Sequence, residues 1–347
     1  MHMADALISP AVGGTAWAAT AGLIGYSSRK LRDGMEDRRI PLMAVLGAFI
    51  FAAQMINFTI PATGSSGHLG GGLILAILLG PYAGFLTLAS VLVIQALFFA
   101  DGGLLALGCN IINLGFFSCF IAYPLIYAKI AGDHRQKWLI VTGAMIGAVT
   151  ALQLGSLGVV TETYLSGISE IPFSTFALLM QPIHLAIGIV EGVVTTVIVL
   201  FVLKARPEIL TATAPEDSGS WSFSLKGLAA VFLAAALVTG AGLSWFASEY
   251  PDGLEWSVFH TTGTEEIEVP DGTIYDSASR LQTRTAIMPG YSLNRDTTDD
   301  MEGAAGGSTS SLAENMGSSL SGLVGSMLTL LLAGALWLLL KRSHETT

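Results

Sequence analysis

The feature that most constrains this chain is a succession of apolar runs, each about as long as a lipid bilayer is thick. A helix needs about 20 mostly apolar residues to cross the hydrocarbon core. Such runs recur along most of the 347 residues. Only 12% of the residues are charged, whereas charged residues make up about a quarter of an ordinary soluble domain. The sequence therefore predicts an all-α polytopic membrane protein.

Nine spanning helices account for these runs. Seven lie early in the chain, at about residues 7–26, 41–60, 69–81, 82–100, 104–128, 138–160 and 178–203. Two more follow, at about 227–247 and 319–340. The third and fourth runs are separated only by Gly80-Pro81, a dipeptide that is typical of turns.

The distribution of basic residues predicts the orientation. With nine spans and the amino terminus outside, 13 of the 16 Lys and Arg residues fall in cytoplasmic segments, the side that the positive-inside rule favours. Without the break at Gly80-Pro81, the later basic loops would lie outside. We therefore expect the carboxyl terminus in the cytoplasm and the loops 61–68, 101–103 and 161–172 on the outer side.

Residues 206–226 are predicted to be a cytoplasmic linker, because the segment carries two prolines and a Ser/Gly/Thr-rich middle. The linker separates an amino-terminal part (1–205) with seven spans from a carboxy-terminal part (227–347) with two. Between those two spans, the segment at about 248–318 holds 13 acidic residues and three arginines. We expect it outside the membrane, where it would either attract cations or gate the first loops by contact.

The first two residues can chelate a metal ion. The amino group of Met1, the deprotonated amide nitrogen of His2 and the His2 Nδ1 atom can close fused rings around one ion. Copper(II) and nickel(II) favour planar nitrogen sites of this kind, whereas zinc prefers a tetrahedron. We expect the large side chain of His2 to hinder removal of Met1. The alternative is that Met-His is simply how the reading frame begins.

His68 is the best candidate for the fourth nitrogen ligand. It ends the loop ATGSSGH, whose small residues allow close backbone approach, and it is predicted on the same membrane face as Met1. A loop histidine is otherwise commonly just solvated. We assign Met1, His2 and His68 as metal ligands. Candidates for supporting positions around the ion are Asp5, Asn57, Ser65 and Ser66.

Motifs for covalent chemistry are absent from the sequence. Gly-Lys does not occur, which rules out the phosphate-binding pattern GxxxxGK[ST], and neither GxSxG nor HExxH is present. His184 and Glu191 are seven residues apart in one predicted span and share a helix face. Interhelical hydrogen bonding is the favoured interpretation of this pair, and a proton relay is the alternative. The acidic excess is local and gives no indication of nucleic-acid binding. The sequence indicates metal binding and passage, with no catalytic residues.

Four segments together resemble the CbiM/NikM family, the substrate-binding components of energy-coupling-factor transporters for cobalt and nickel. They are MHMADALISP, FIFAAQMINFTIPATGSSGHLGGG, FADGGLLALGCNIINLG and QPIHLAIGIVEG. The resemblance covers about residues 1–205. The remainder, with PDGLEWSVFHTTG at 251–263, resembles the two-span NikN/CbiN component. The chain thus resembles a natural fusion of the two.

The resemblance implies that the Met1 amine, the His2 amide and imidazole, and the His68 imidazole bind the metal. It also implies a membrane coupling (T) subunit and cytoplasmic ATPase subunits as partners, in the plasma membrane of a prokaryotic cell. The planar nitrogen set favours Ni2+ as the transported substrate, with Co2+ as the alternative. Two other hypotheses remain: a membrane enzyme built on His184 and Glu191, and a metal channel that needs no ATPase.

Overall fold

The apolar runs fold into helices over most of the described chain. The computed structural model describes residues 2–34, 40–132, 136–210, 223–264, 267–292 and 309–345. The helices of the amino-terminal part are α1 (Pro10–Gly34), α2 (Ile40–Gln54), α3 (Gly72–Leu79), α4 (Pro81–Phe99), α5 (Leu107–Ile111), α6 (Ala128–Ala131), α7 (Lys137–Ser166) and α8 (Phe173–Ala205). A π-helical stretch, Ile112–Tyr127, joins α5 to α6 in one continuous helix. The carboxy-terminal part contains α9 (Leu225–Ala241), α10 (Gly253–Thr262), α11 (Thr273–Thr285) and α12 (Thr309–Glu345).

Five helices in the described part of the chain are long and apolar enough to cross a membrane: Pro81–Phe99, Leu107–Ala131, Lys137–Ser166, Phe173–Ala205 and Met316–Leu340. Two shorter apolar helices, Leu42–Gln54 and Leu225–Ala241, lie where the second and eighth spans were predicted. The first predicted span overlaps α1, which continues to Gly34. The protein is thus a mostly helical membrane protein.

The third predicted span, residues 69–81, needs correction. Its helix, α3, covers only Gly72–Leu79. Eight residues of α-helix are about 12 Å long, which is less than half of the roughly 30 Å hydrocarbon core. All residues of α3 are buried within the protein. The predicted break after α3 is confirmed, because Gly80 has a φ of +84° and Pro81 begins α4, the position where proline fits a helix best.

The second predicted span, 41–60, ends earlier than expected. Helix α2 stops at Gln54, and the chain then forms strand β1 (Phe58–Ile60), which pairs in antiparallel register with β2 (Ser65–Gly67). Phe, Thr and Ile favour a strand, and Pro61 cannot donate to a continued helix ladder. This hairpin delivers His68 into the interior of the protein.

The carboxy-terminal part contacts the amino-terminal part both through its long helices and through the segment between them. Helices α9 and α12 pack against each other and against α2. They approach closely at two glycines, since a Cβ on Gly240 would lie 3.1 Å from the carbonyl carbon of Gly322. Beyond the end of α9, α10 packs against α8 and against the β2 strand. The second contact places the carboxy-terminal part directly beside the candidate site.

Candidate metal site

The segment that follows the amino terminus is held in the interior of the protein by Asn110. Met3 is fully buried. Its N–H donates to Asn110 Oδ1 at 2.8 Å, and its carbonyl accepts from Asn110 Nδ2 at 3.3 Å. Gly103 N–H donates to the same Met3 carbonyl at 2.8 Å. This clamp on residue 3 fixes the position of the neighbouring His2. Met1, the predicted ligand that precedes it, lies outside the described residues.

The structure brings His2 and His68 together. Their imidazole rings stack with centroids 5.0 Å apart and planes inclined by 14°. The Nδ1 of His68 lies 3.0 Å from the Leu69 carbonyl oxygen, so this nitrogen carries the proton and Nε2 keeps its lone pair. The Nε2 atoms of both rings are buried and, within the residues that the structure describes, have no hydrogen-bond partner. The lone pair of His68 Nε2 is therefore available to a metal ion, whereas on His2 the terminal chelate would use the other ring nitrogen, Nδ1.

Asp101 contacts the atom of His2 that the predicted chelate would use. The His2 Nδ1 lies 3.3 Å from Asp101 Oδ1. The other oxygen of this carboxylate, Oδ2, accepts from the Tyr291 hydroxyl at 2.5 Å. Closing the terminal chelate through Nδ1 requires that the His2–Asp101 contact open. Tyr291 belongs to the carboxy-terminal part, so both parts of the chain act on His2.

The turn before α10 reaches the other side of the histidine pair. Ser66 N–H donates to the Pro251 carbonyl at 2.8 Å, and its hydroxyl donates to the Tyr250 carbonyl at 2.7 Å. The Asp252 carboxylate accepts from the N–H groups of Leu254 and Glu255, both at 2.8 Å. Asp252 is thus the amino-terminal cap of α10, and its charge lies near the two imidazoles.

Burial sets the charge state of this cluster. It lowers the pKa of His68 to about 3 and also lowers the pKa of His2. For Asp252, burial alone would raise the pKa, but the positive charge of the amino terminus and the hydrogen bond from the Glu255 N–H hold it well below its usual range. At neutral pH the site therefore combines two neutral imidazoles with an ionised carboxylate. Neutral imidazole is the form that binds metal ions.

An open cavity of about 270 Å3 leads to the histidine pair. This outer cavity is lined by His2 and His68 and by three carboxylates, Asp101, Asp252 and Glu255. Carboxylates around a low-dielectric cleft attract cations. The arrangement suits the approach of a divalent ion to the two imidazoles.

Buried polar residues at membrane depth hold the loop that follows His68. The Glu191 carboxylate accepts from the N–H groups of Gly70 at 2.7 Å and Gly71 at 3.1 Å. The Gln54 amide donates to the Gly70 carbonyl at 2.9 Å and accepts from Gln95 at 2.9 Å. Through Glu191, Gln54 and Gln95, helices α8, α2 and α4 thus hold the backbone at Gly70 and Gly71, the residues that closely follow His68.

Three of the four predicted supporting residues make contacts that join one loop to another, and the fourth, Ser65, bonds within its own loop. Asp5 Oδ1 accepts from the Ala106 N–H at 2.9 Å. The Ser65 hydroxyl bonds that of Thr63 at 2.8 Å, and Ser66 binds the turn before α10 as described above. The carbonyl of Asn57 accepts from Ser248 N–H at 2.7 Å, and Asn57 also lines the outer cavity. Their role beside a bound ion stays a prediction.

Sequence reasoning missed Asp101, Asn110 and Asp252. The available signals were that the 101–103 loop was predicted on the outer face, that Asp101 and Asn110 lie in one of the four segments that carry the family resemblance, and that the segment 251–263 resembled the second family. Within the described residues, no three His, Cys, Asp or Glu side chains are placed to hold a metal ion by themselves. The predicted site differs in this respect, because it also uses the terminal amine and a main-chain amide.

Comparison with known proteins finds two family models along the chain. Residues 2–209 match the model described as "Cobalt uptake substrate-specific transmembrane region". Residues 226–342 match the model of the PDGLE domain.

Individual relatives and a solved structure agree with these models. A protein of Haloquadratum walsbyi, named for metal transport, is 35% identical over 210 residues, 60% of this chain and 93% of the relative. A protein of Archaeoglobus fulgidus, named as a fused nickel transport protein, is 31% identical over 280 residues, 80% of this chain and 88% of the relative. The crystal structure of a truncated transition metal transporter has 30% sequence identity and a TM-score of 0.52, and covers 58% of this chain and 98% of that one.

Proposed function

The chain belongs to the cobalt uptake substrate-specific transmembrane family, here followed by a PDGLE domain, and from this premise we propose that it captures Ni2+ for uptake. The predicted resemblance to CbiM/NikM fused to a NikN/CbiN-like part is confirmed. The protein is a metal transporter component and not an enzyme. The proposed ligands are the Met1 amine, the His2 amide and imidazole, and the His68 imidazole.

The observation that carries this proposal is the stacked pair His2 and His68. The two rings are stacked, the Nε2 atom of His68 is buried and has no hydrogen-bond partner in the described part of the chain, and the Nδ1 atom of His2 meets Asp101. An acidic cavity opens onto both rings. Burying a polar atom without a hydrogen bond costs about 1–3 kcal/mol, so the unpartnered Nε2 of His68 beside His2 supports a site that binds an ion through His68 Nε2 and His2 Nδ1. The planar set of four nitrogens favours Ni2+, and Co2+ is the alternative substrate.

The energy for uptake would come from other subunits. Proteins of the CbiM type work with further transporter subunits, and the sequence lacks a nucleotide-binding loop. We propose a membrane coupling subunit and cytoplasmic ATPases as partners. We also propose nine membrane crossings in total, the third of them made inside the protein by the short buried helix α3 and its flanking loop, with the amino terminus outside, 1–205 and 227–347 as the two functional parts, and the prokaryotic plasma membrane as the location.

The test is metal binding by the purified protein with its native amino terminus, compared with a variant that carries one extra residue before Met1. An added residue removes the primary amine from the chelate but leaves every side chain in place. We expect the extension to weaken Ni2+ binding by more than about tenfold, as expected for loss of a ligand, and to abolish the absorption band of planar nickel. His260→Asn is a matched control, because His260 is exposed and stacks on Trp256. Unchanged binding by the extended protein would exclude Met1 as a ligand.

A further inference from the structure

His184 is a third buried histidine, and the proposed metal site does not use it. It lies in α8 and is 1% exposed. Its Nδ1 is 2.8 Å from the Met180 carbonyl oxygen, so Nδ1 carries the proton and the lone pair belongs to Nε2. This Nε2 is buried and has no hydrogen-bond partner among the described residues. The structure therefore presents a metal-binding nitrogen that is already in its neutral, correctly protonated form.

His184, which carries this nitrogen, lines a small cavity together with His68. This inner cavity has a volume of about 10 Å3 and is lined by His68, His184 and Asp252, with glycine and aliphatic residues around them. A space of that size holds about one water molecule and can hold one metal ion in its place. Two imidazoles, each with an Nε2 lone pair, and one ionised carboxylate thus line a cavity that can hold a single water molecule or a single metal ion.

His68 and Asp252 line both cavities. The outer cavity also contains His2 and the carboxylates of Asp101 and Glu255, whereas the inner cavity contains His184 of α8 and the aliphatic side chains Leu114, Leu152 and Ile187. His68 therefore borders a larger acidic space on one side and a smaller, mostly aliphatic space on the other. An ion that leaves His2 while it stays bound to His68 would find a new nitrogen ligand at His184.

We propose that His68 and His184 form a second, transient site for the transported divalent ion, one step inward from the terminal chelate. This inference rests on the proposed function. Two imidazoles in a mostly aliphatic cavity bind an ion more weakly than four nitrogens do, and Asp252 compensates part of its charge. Weak binding suits a transient site, because an ion that is transported onward must be able to dissociate from each site that it occupies.

The experiment isolates the inner site by removing the outer one. In the variant with one residue added before Met1, we measure Co2+ binding by its visible absorption and count imidazole ligands by X-ray absorption. We expect weak residual binding through two imidazoles. His184→Asn keeps a side-chain donor for the Met180 carbonyl but lacks Nε2, and in this background it should weaken the residual binding by at least about tenfold. His260→Asn, made in the same background, should leave it unchanged.

Uptake by the complete transporter gives the second readout. His184→Asn with the native amino terminus should keep the planar Ni2+ spectrum and its affinity within about twofold, since His184 does not belong to the outer site. Its uptake rate should fall by at least about tenfold. A general folding defect would instead lower both metal binding and thermal stability. In that case His184→Gln, which places an amide near the former Nε2, would restore no more uptake than His184→Ala.

Each outcome has a distinct meaning. Residual Co2+ binding that His184→Asn leaves intact, or wild-type uptake by that variant, overturns the inner site while the proposed function stands. Failure of the native protein to show planar Ni2+ binding overturns the proposed function, and the inner site is still tested in the extended variant. A single water between the two imidazoles, with no Co2+ binding in the extended variant, also overturns the inner site.

Discussion

The Asn110 side chain shows how one residue can control a site that it does not line. It binds both the N–H and the carbonyl of Met3, and Met3 directly follows His2. We expect Asn110→Ala to weaken Ni2+ binding by about 10- to 100-fold, the usual effect of removing a residue that orients metal ligands. Asn110→Asp keeps the acceptor for the Met3 N–H and should lose less. Calorimetric titration of both variants checks this, and equal binding by Asn110→Ala and wild type would contradict it.

The pH dependence of stability follows from the buried imidazole of His68. Its pKa is lowered from 6.5 to about 3, so below pH 6.5 the unfolded chain binds a proton that the folded protein does not. Stability therefore rises with pH between about 3 and 6.5 and is lost as pH falls through this range. The thermal midpoint of the metal-free protein, measured in detergent, should drop on going from pH 7 to pH 4.

His68→Gln removes this proton linkage and supplies the comparison. The variant should show a shallower decline of the thermal midpoint over the same pH range. Parallel curves for the variant and the wild type would mean that His68 takes up its proton equally in both states, contrary to its burial.

At the residue scale, the sequence analysis identified His2 and His68, and the structure places them in contact. It did so because the chemistry of an amino-terminal histidine is local and because His68 ends a recognisable loop. The sequence analysis could not identify Asp252 as part of the site. Its position beside His68 depends on the hydrogen bond between Ser66 and Pro251, residues that are far apart in the chain. No local pattern encodes that contact.

Among the elements, α10 depends on a glycine at its first position. A Cβ on Gly253 would lie 2.5 Å from Cγ2 of Ile183 on α8, closer than carbon atoms approach. We expect Gly253→Ala to push α10 away from α8 and to disturb the turn that contacts Ser66. Thermal stability should fall by about 1–3 kcal/mol, the usual cost of overpacking, and Ni2+ binding should weaken as well.

Gly14 offers a matched control for this substitution. It lies inside α1, where a Cβ would meet no atom within 4 Å. Gly14→Ala should leave binding unchanged and stability equal or slightly higher, because alanine favours a helix over glycine. If both alanine variants behaved alike, the close packing of α10 on α8 would not matter for the site.

The element scale also shows where apolar runs mislead. Residues 69–81 are as apolar as a spanning helix, but α3 is short and buried on all sides by other helices. Apolar content reports burial and does not distinguish burial in lipid from burial in protein. The break at Gly80-Pro81 was predictable, in contrast, because both residues impose their backbone geometry locally.

For the whole molecule, the proposed orientation places Lys129 in the cytoplasm and Thr264 outside. Single cysteines at these positions should therefore react from opposite sides of the membrane. We expect a membrane-impermeant thiol reagent to label Thr264→Cys in intact cells and to label Lys129→Cys only after permeabilisation. The native Cys109 and Cys119 are buried and should contribute little background. The reverse pattern would invert the orientation and place the metal site on the cytoplasmic face.

The turn before α10 reaches the histidine pair from the same polypeptide that supplies the pair. When two binding surfaces share one chain, their association no longer depends on protein concentration, and the local concentration of one for the other is typically millimolar for a short flexible connection. The hydrogen bonds between Ser66 and the turn therefore need not hold the two parts together, because the shared chain and the packing of α9 and α12 on α2 already keep them close. If the turn were to open, it would close again without having to find its partner.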